Sequence, residues 1–312
     1  MKEFASEIAS QLDFPRPDLI EKDIRLHSLL KFISDSDLFS DDYLFKGGTC
    51  LIKAYFGYYR FSEDIDLTFH GPDIGELSQT GLRKKLSVRI DHLAEELKRF
   101  TVDNGYDFEP EKGNERYIQL GGSNKFVTFK LHYTAQTTKL PSFIKLQINF
   151  LEKLLFTPKK ASLRSLSTEM NSSDIGVSFP QEYMQYSTPI TLGIYDIEEI
   201  FCEKARSILT RRGIKARDFI DMFKIQKEFG LTLRGSGDNI IEKTLFMLEK
   251  YDKYKENLRG KIDLLEDAEM FNWSYEKGLL LEEISEDDIF NYVKENMNDL
   301  IDIVEEIQSK TN

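Results

Sequence analysis

Apolar residues between positions 18 and 33 recur at intervals of three and four, so a helix is expected to begin near Asp18, just after Pro15 and Pro17. Tyr43, Leu44 and Phe45 form a short apolar strand that runs into Gly47, Gly48 and Thr49. A second amphipathic stretch, 49–56, stops at Gly57, a residue suited to a helix C-terminus. Residues 64–69 alternate polar and apolar with a period of two, the pattern of a strand with one buried face. A charge-laced helical stretch at 76–103 closes at Asn104 and Gly105, and further strands are expected at 117–120, 126–133 and 143–150. Residues 157–187, rich in Ser, Thr, Pro and Lys, read as loop-like. From Ile197 onward the period is helical, with helices expected at 197–211, 216–229, 236–254 and 284–309.

Strands and helices are therefore mixed as far as about residue 195, and helices alone follow. Segregated blocks of this kind favour an α+β fold over a doubly wound sheet, with one lobe over 1–195 and a helical lobe over 196–312. At 312 residues the chain is long enough for either two lobes or one large domain. No apolar run approaches the roughly 18–20 residues of a spanning helix, and residues 1–13 lack the basic start and apolar stretch of a secretory signal. A cytoplasmic protein with no membrane partner is expected. Cys50 and Cys202 are too few for a disulfide framework, which fits a reducing compartment. The net charge of -12 repels a phosphate backbone and argues against a broad nucleic-acid coat. Any such contact must be local, and a basic cluster exists between Lys204 and Arg217.

Asp64 and Asp66 stand two apart on an expected strand, so both carboxylates project from one face while Ile65, Leu67 and Phe69 anchor the other. A divalent cation relieves their repulsion, and hard oxygen ligands suit Mg²⁺ that keeps waters and shares substrate phosphates. An Asp-x-Asp alone is more often solvated surface. Gly47 and Gly48 just upstream let backbone N–H groups approach a phosphate at a strand-to-helix junction, although for the glycines and Thr49 alone a tight turn is the favoured reading. Thr49 suits either a helix cap or a phosphate oxygen. Together the two pieces describe a site for a metal-bound triphosphate, provided the two strands pair. The four histidines show no paired spacing, and no Ser-His-Asp or Cys-His arrangement is readable.

Lys46-Gly-Gly-Thr-Cys-Leu51, Tyr55, Gly57, Arg60, Ser62 and Asp64-Ile-Asp-Leu67 closely resemble the first motif of the AbiEii and MenT nucleotidyltransferase toxins. Glu21-Lys-Asp23 is also similar to that family. Glu198-Glu-Ile-Phe-Cys-Glu-Lys204, Arg206, Arg211 and Arg217-Asp-Phe-Ile-Asp221 resemble its later motif. The resemblance implies a polymerase-β-like nucleotidyltransferase core with Asp64 and Asp66 as metal ligands. It also implies a nucleotide held by Gly47, Gly48, Thr49, Ser62, Lys204 and Arg211, with Lys204 and Asp218 joining the catalytic set. Lys204 suits a triphosphate as a point charge and Arg211 as a bidentate grip, whereas solvated charges and a structural pair between Arg217 and Asp218 are the plain alternative. The resemblance further implies an NTP substrate, a tRNA 3′ end as acceptor and a separately encoded antitoxin partner.

Polymerase-β-type enzymes usually supply a third carboxylate from a later strand, and at the expected place in 144–149 this chain has Gln147. An amide can ligate Mg²⁺ through oxygen but is a poor base. Either two aspartates and another base suffice, or activity is weak or lost. Lys145 either turns to solvent or, by strict alternation, shares a face with Gln147 and Asn149. Transfer of AMP to a protein hydroxyl and a non-catalytic nucleotide-binding module are the rival functions.

Overall fold

The computed structural model describes residues 1–39, 41–72, 77–170, 173–267 and 271–311. The chain divides into two compact units, one of residues 1–152 and 158–194, the other of residues 153–157 and 195–312.

The first unit is built on a seven-stranded mixed sheet of β1 (Tyr43–Lys46), β2 (Asp64–Phe69), β3 (Ile118–Gly121), β4 (Phe126–Thr134), β5 (Pro141–Asn149), β6 (Lys159–Leu163) and β7 (Ile190–Ile194). Their spatial order is β3-β4-β5-β2-β1-β7-β6. β1 and β2 pair antiparallel with Lys46 opposite Asp66, while β2 runs parallel to β5 with Asp64 beside Lys145 and Asp66 beside Gln147. Strict alternation puts Ile65, Leu67, Leu146 and Ile148 on the opposite face, where all are buried. Three helices precede or follow these strands in sequence: α1 (Lys2–Gln11), α2 (Pro17–Asp35) and the four-residue α3 (Gly47–Cys50). The helix expected at 49–56 begins two residues earlier and continues from α3 as a wider π-helical turn, Leu51–Phe56. It ends at Gly57, whose φ of 84° only glycine adopts without strain. α4 (Gln79–Asn104) fills the charge-laced stretch; the expected start at residue 76 lies outside the described residues.

The expected loop at 157–187 is a correction. It holds β6 and the short helices α5 (Leu166–Glu169), α6 (Ser173–Ser178) and α7 (Pro180–Tyr186), with residues 171 and 172 outside the described set. Polar composition hid these elements because β6 is an edge strand, which solvates one face and one flank. α1 and β7 were likewise unanticipated.

Buried ionic clusters tie this unit together. The Glu21 carboxylate accepts from the backbone N–H of Gln136 and Thr137 at 2.9 and 2.8 Å and pairs with Arg25 at 3.0 Å. Burial raises its pKa, but those N–H donors and the Thr137 hydroxyl outweigh it and the net shift is downward. Asp23 takes the Lys53 ammonium at 2.9 Å and the Tyr58 hydroxyl at 2.7 Å, with the Tyr186 hydroxyl also donating to it. His27 packs edge-on against Tyr186 and its Nε2 lies 3.2 Å from the Thr188 carbonyl. Two residues of the sequence motif, Glu21 and Asp23, thus anchor α2 to the sheet layer instead of facing a substrate.

The second unit contains α8 (Ile197–Thr210), α9 (Ala216–Phe229), α10 (Gly237–Lys250), α11 (Asp252–Arg259), α12 (Lys261–Glu266), α13 (Ser274–Lys277) and α14 (Glu286–Thr311). The helix expected to run to residue 254 breaks at Tyr251, whose φ and ψ of -141° and 103° are extended. Glu199, buried on α8, accepts from the backbone N–H of Leu155 and Phe156 at 2.8 Å each and pairs with Lys243 of α10. Lys243 also donates to the Lys153 carbonyl at 2.8 Å. These bonds attach residues 153–157 to the helical unit. No helix among the described residues is long and apolar enough to cross a membrane.

Burial and the nearby Lys53 hold the His27 pKa down to about 4, against an ordinary 6.5. The unfolded chain therefore binds a proton that the folded one refuses, so this group's stabilising effect is full above pH 6.5 and declines as pH falls toward 4. Urea unfolding is expected to show about 2 kcal/mol of stability lost to this group between pH 7 and pH 5. The difference between the two pH values should shrink by that amount in His27→Gln.

Candidate active site

Asp64 and Asp66 are set on the same face of β2 by the two-residue period, and both are half-buried while Ile65 and Leu67 are locked into the core behind them. Antiparallel pairing with β1 then places the glycine turn directly beside Asp66. Gly47 has φ of 77°, and a Cβ there would lie 2.6 Å from Asp66 Oδ2, so backbone and carboxylate approach as only glycine permits. Gly48, at an ordinary φ, is crowded by side chains alone, since a Cβ would sit 2.5 Å from Arg60 Nη2 and 3.4 Å from Ser62 Oγ. Arg60 is buried and donates through Nη1 to the Phe61 carbonyl at 2.8 Å.

Thr49 is not a helix cap. Lys46 holds the N-cap position, and the buried Thr49 hydroxyl donates to the Asp64 carbonyl and lies 2.9 Å from Ser62 Oγ. Thr49 and Ser62 therefore fix the entry of β2, and with it the backbone that carries Asp64.

On β5, Lys145 shares the carboxylate face and does not turn to solvent. Its Nζ is 3.4 Å from Asp64 Oδ2, with the two side chains 27% and 19% exposed. The Gln147 amide lies between Asp66 and Lys145. Its Nε2 donates to Asp66 Oδ1 at 3.0 Å and its Oε1 accepts from Lys145 Nζ at 3.3 Å, the orientation that hydrogen-bond chemistry requires. Gln147 thus holds the Asp66 carboxylate and the Lys145 ammonium in place, and its oxygen is occupied. Glu152 is fully buried nearby, accepting from Asn149 Nδ2 at 3.1 Å with Lys46 Nζ at 3.9 Å. Sequence reasoning left the face of Lys145 open and did not give Lys46 or Glu152 a place beside the carboxylates. The two lysines could have been found by tracing register partners across β1, β2 and β5, but the Glu152 contact depends on a turn.

Two hard carboxylates on a rigid strand, with a glycine cradle behind one of them, fit a divalent cation that completes its shell with water and phosphate. Among the described residues no group of three or more His, Cys, Asp or Glu side chains converges on one point. The protein's charged ligands would be Asp64 and Asp66.

The later motif gathers inside the helical unit. Lys204 of α8 lies 2.9 Å from Asp218 Oδ1 and 2.6 Å from Asp221 Oδ2 of α9, and Arg211 closes on the other Asp218 oxygen. Burial would raise the Asp218 pKa, but Lys204, Arg211 and Arg217 together hold it far below the usual carboxylate range. Arg217 acts on Asp218 only through this field; the hydrogen bonds to it come from Lys204 and Arg211. The C-terminal carbonyls of α8 are taken by Asn257, 2.8 Å from the Thr210 oxygen, and Lys261, 2.6 Å from that of Arg211. Lys261 is pushed down to about 8 by burial and the Arg211 guanidinium. Arg212 and Lys215 on the α8–α9 connection are exposed.

Two substitutions separate chemistry from scaffold. Gly47→Ala is expected to lower stability by about 1–3 kcal/mol and to push Asp66 from its place, whereas Gly113→Ala, with nothing within 4 Å of the added carbon, should melt like the wild type. Lys204→Ala strands two buried aspartates and is expected to cost about 3–5 kcal/mol in urea unfolding. A loss below about 1 kcal/mol would show that the cluster is open and that Lys204 is available to a ligand.

Comparison with known proteins adds four findings. The crystal structure of JHP933 from Helicobacter pylori resembles this chain with 16% identity and a TM-score of 0.41, covering 96% of each chain. A second H. pylori crystal structure, with a provisional nucleotidyltransferase assignment, aligns with 17% identity and a TM-score of 0.37, covering 93% of this chain and 94% of its own. Likenesses this distant are of general layout, and nothing about the site is taken from them. No curated protein matches. A sequence profile of the nucleotidyl transferase AbiEii toxins of type IV toxin–antitoxin systems matches residues 31–302, nearly the whole length, and the chain belongs to that family.

Proposed function

We propose that the protein is a Mg²⁺-dependent nucleotidyltransferase that moves NMP from an NTP to an acceptor hydroxyl, with an RNA 3′ end, in particular that of tRNA, as the acceptor. It acts as the toxin of a pair whose antitoxin is separately encoded. The observation that carries this reading is the Asp64 and Asp66 pair with the Gly47 backbone packed against Asp66. Family membership supplies the toxin and transferase class.

Asp64 and Asp66 would hold the metal, which supplies charge neutralisation for the triphosphate. The N–H groups at Gly47 and Gly48 point a phosphate toward the start of the helical turn, where the backbone can come close. Arg60, packed behind Gly48, and the Thr49 and Ser62 hydroxyls keep that backbone rigid. Catalysis is then positioning plus fixed electrostatics. The acceptor oxygen forms a bond to the α-phosphorus, the bond from that phosphorus to the pyrophosphate oxygen breaks with its electron pair, and the acceptor proton passes to solvent. In the helical unit, the exposed Arg212 and Lys215 offer a local basic patch for an RNA backbone on an otherwise acidic protein.

Gln147 favours a second reading, a nucleotide-binding module without transfer, since it supplies neither charge nor base. The net charge of -12 makes a protein hydroxyl the other acceptor to test.

Incubation with Mg²⁺, each α-labelled NTP in turn, total RNA and cell protein distinguishes these readings. Label in the 3′ end of RNA and released pyrophosphate are expected, and Asp66→Ala should abolish both while its circular dichroism and melting stay those of a folded protein. Label in protein identifies the other acceptor class. Bound NTP without pyrophosphate under every acceptor supports the module. Unchanged transfer by Asp66→Ala sinks the site.

A further inference from the structure

Resting on the nucleotide reading above, we infer that this site takes a single divalent cation with its nucleotide, and that the Lys145 ammonium stands where two-metal transferases carry the second. Three observations lead there. The third ligand position beside Asp66 is held by Gln147, which is neutral and spends its amide on Asp66 and Lys145. The Lys145 ammonium, 3.4 Å from Asp64 Oδ2, lies on the face from which the carboxylates project. Among the described residues no third carboxylate converges with the pair, and the buried Glu152 carboxylate just beyond β5 is engaged by Asn149 with Lys46 close by.

Charge decides between the alternatives. A site with three carboxylates and two divalent cations carries a net charge of about +1 before the substrate enters. Here Asp64, Asp66 and Lys145 sum to -1, so one divalent cation restores the same +1. A second would raise it to about +3 with no added ligand. Lys130, the register partner of Lys145 on β4, puts a further cation on the same face of the sheet and opposes a second metal still more. Geometry points the same way. At least one oxygen of each carboxylate already has a partner, Asp64 Oδ2 in Lys145 and Asp66 Oδ1 in Gln147, which leaves fewer oxygens with which to bridge two ions. An ammonium does not match a metal as a Lewis acid, but with two of its three donors on Asp64 and Gln147 it offers the third, and a fixed positive charge, to an oxygen of the reacting α-phosphate or the acceptor. Lys145 is therefore assigned to the reacting phosphate, with Gln147 as the residue that positions it.

The test counts metal ions. Full-length protein is titrated with Mn²⁺ and each of the four α,β-methylene nucleoside triphosphates, and free Mn²⁺ is read by electron paramagnetic resonance. One Mn²⁺ per protein–nucleotide complex is expected for the wild type, and a second in the double variant Lys145→Ala with Gln147→Glu, which restores a third carboxylate and removes the cation. Lys145→Ala alone should lower kcat by about 100-fold or more, the loss of one unit charge a few ångströms from the reacting phosphate, while Lys145→Arg recovers most of it. Two Mn²⁺ per wild-type complex would overturn the inference and leave the nucleotide reading standing. No bound nucleotide and no bound Mn²⁺ would overturn that reading itself. The wild-type count decides the matter even where a variant fails to fold.

Discussion

Two carboxylates held on one face of a strand, about 4–7 Å apart, repel each other by roughly 2–4 kcal/mol at the effective dielectric of a half-buried site, and their neighbourhood is arranged against that repulsion. Lys145 sits beside Asp64, Gln147 donates to Asp66, and the Gly47 backbone packs against the same carboxylate where any side chain would collide. These neighbours come from β5 and from the turn that follows β1, so the pair is only tolerable once β1, β2 and β5 are assembled in register. A one-residue slip of β2 would bury both aspartates among Leu146 and Ile148, which makes the polar face and the hydrophobic core mutually enforcing.

The remaining motif residues are of another kind in their surroundings, each set in a buried ionic cluster. Glu21 caps the turn at Gln136 and Thr137, Asp23 collects Lys53 and two tyrosine hydroxyls, Glu199 fastens residues 153–157 to the helical unit, and Lys204 joins Asp218 and Asp221. All are buried, and a buried charge is stable only with its partners in place, so removal of any one member leaves the others unsatisfied. A charged residue in a family motif can therefore be there because the fold cannot spare it. Thr49 and Ser62 stand between the two kinds, since their hydroxyls reach the backbone of Asp64 and so act on the site through its scaffold.

The chain belongs to the AbiEii nucleotidyl transferase toxin family, and the departures from a three-carboxylate site are what is particular to it. Gln147 is no weakened ligand but a clamp, because its oxygen is taken by Lys145 and its nitrogen by Asp66. The lysine beside it turns an apparent loss of charge into a redistribution of it.

The sequence by itself determined the alternation of 64–69, the helical period beyond residue 197 and the glycines at 47 and 48, because these are local properties: side-chain period and backbone permissiveness act over a few residues. It also carried the family resemblance in the residues of the first motif. It could not reveal β6, a polar edge strand inside a Ser-, Thr- and Lys-rich stretch, nor β7, nor the break at Tyr251. The tertiary structure alone decided that Lys145 faces Asp64, that Thr49 turns to the Asp64 carbonyl, and that Lys204 is enclosed by two aspartates. Those contacts span from 14 to 81 residues of sequence, and only strand register and helix packing bring such distant side chains within hydrogen-bond reach.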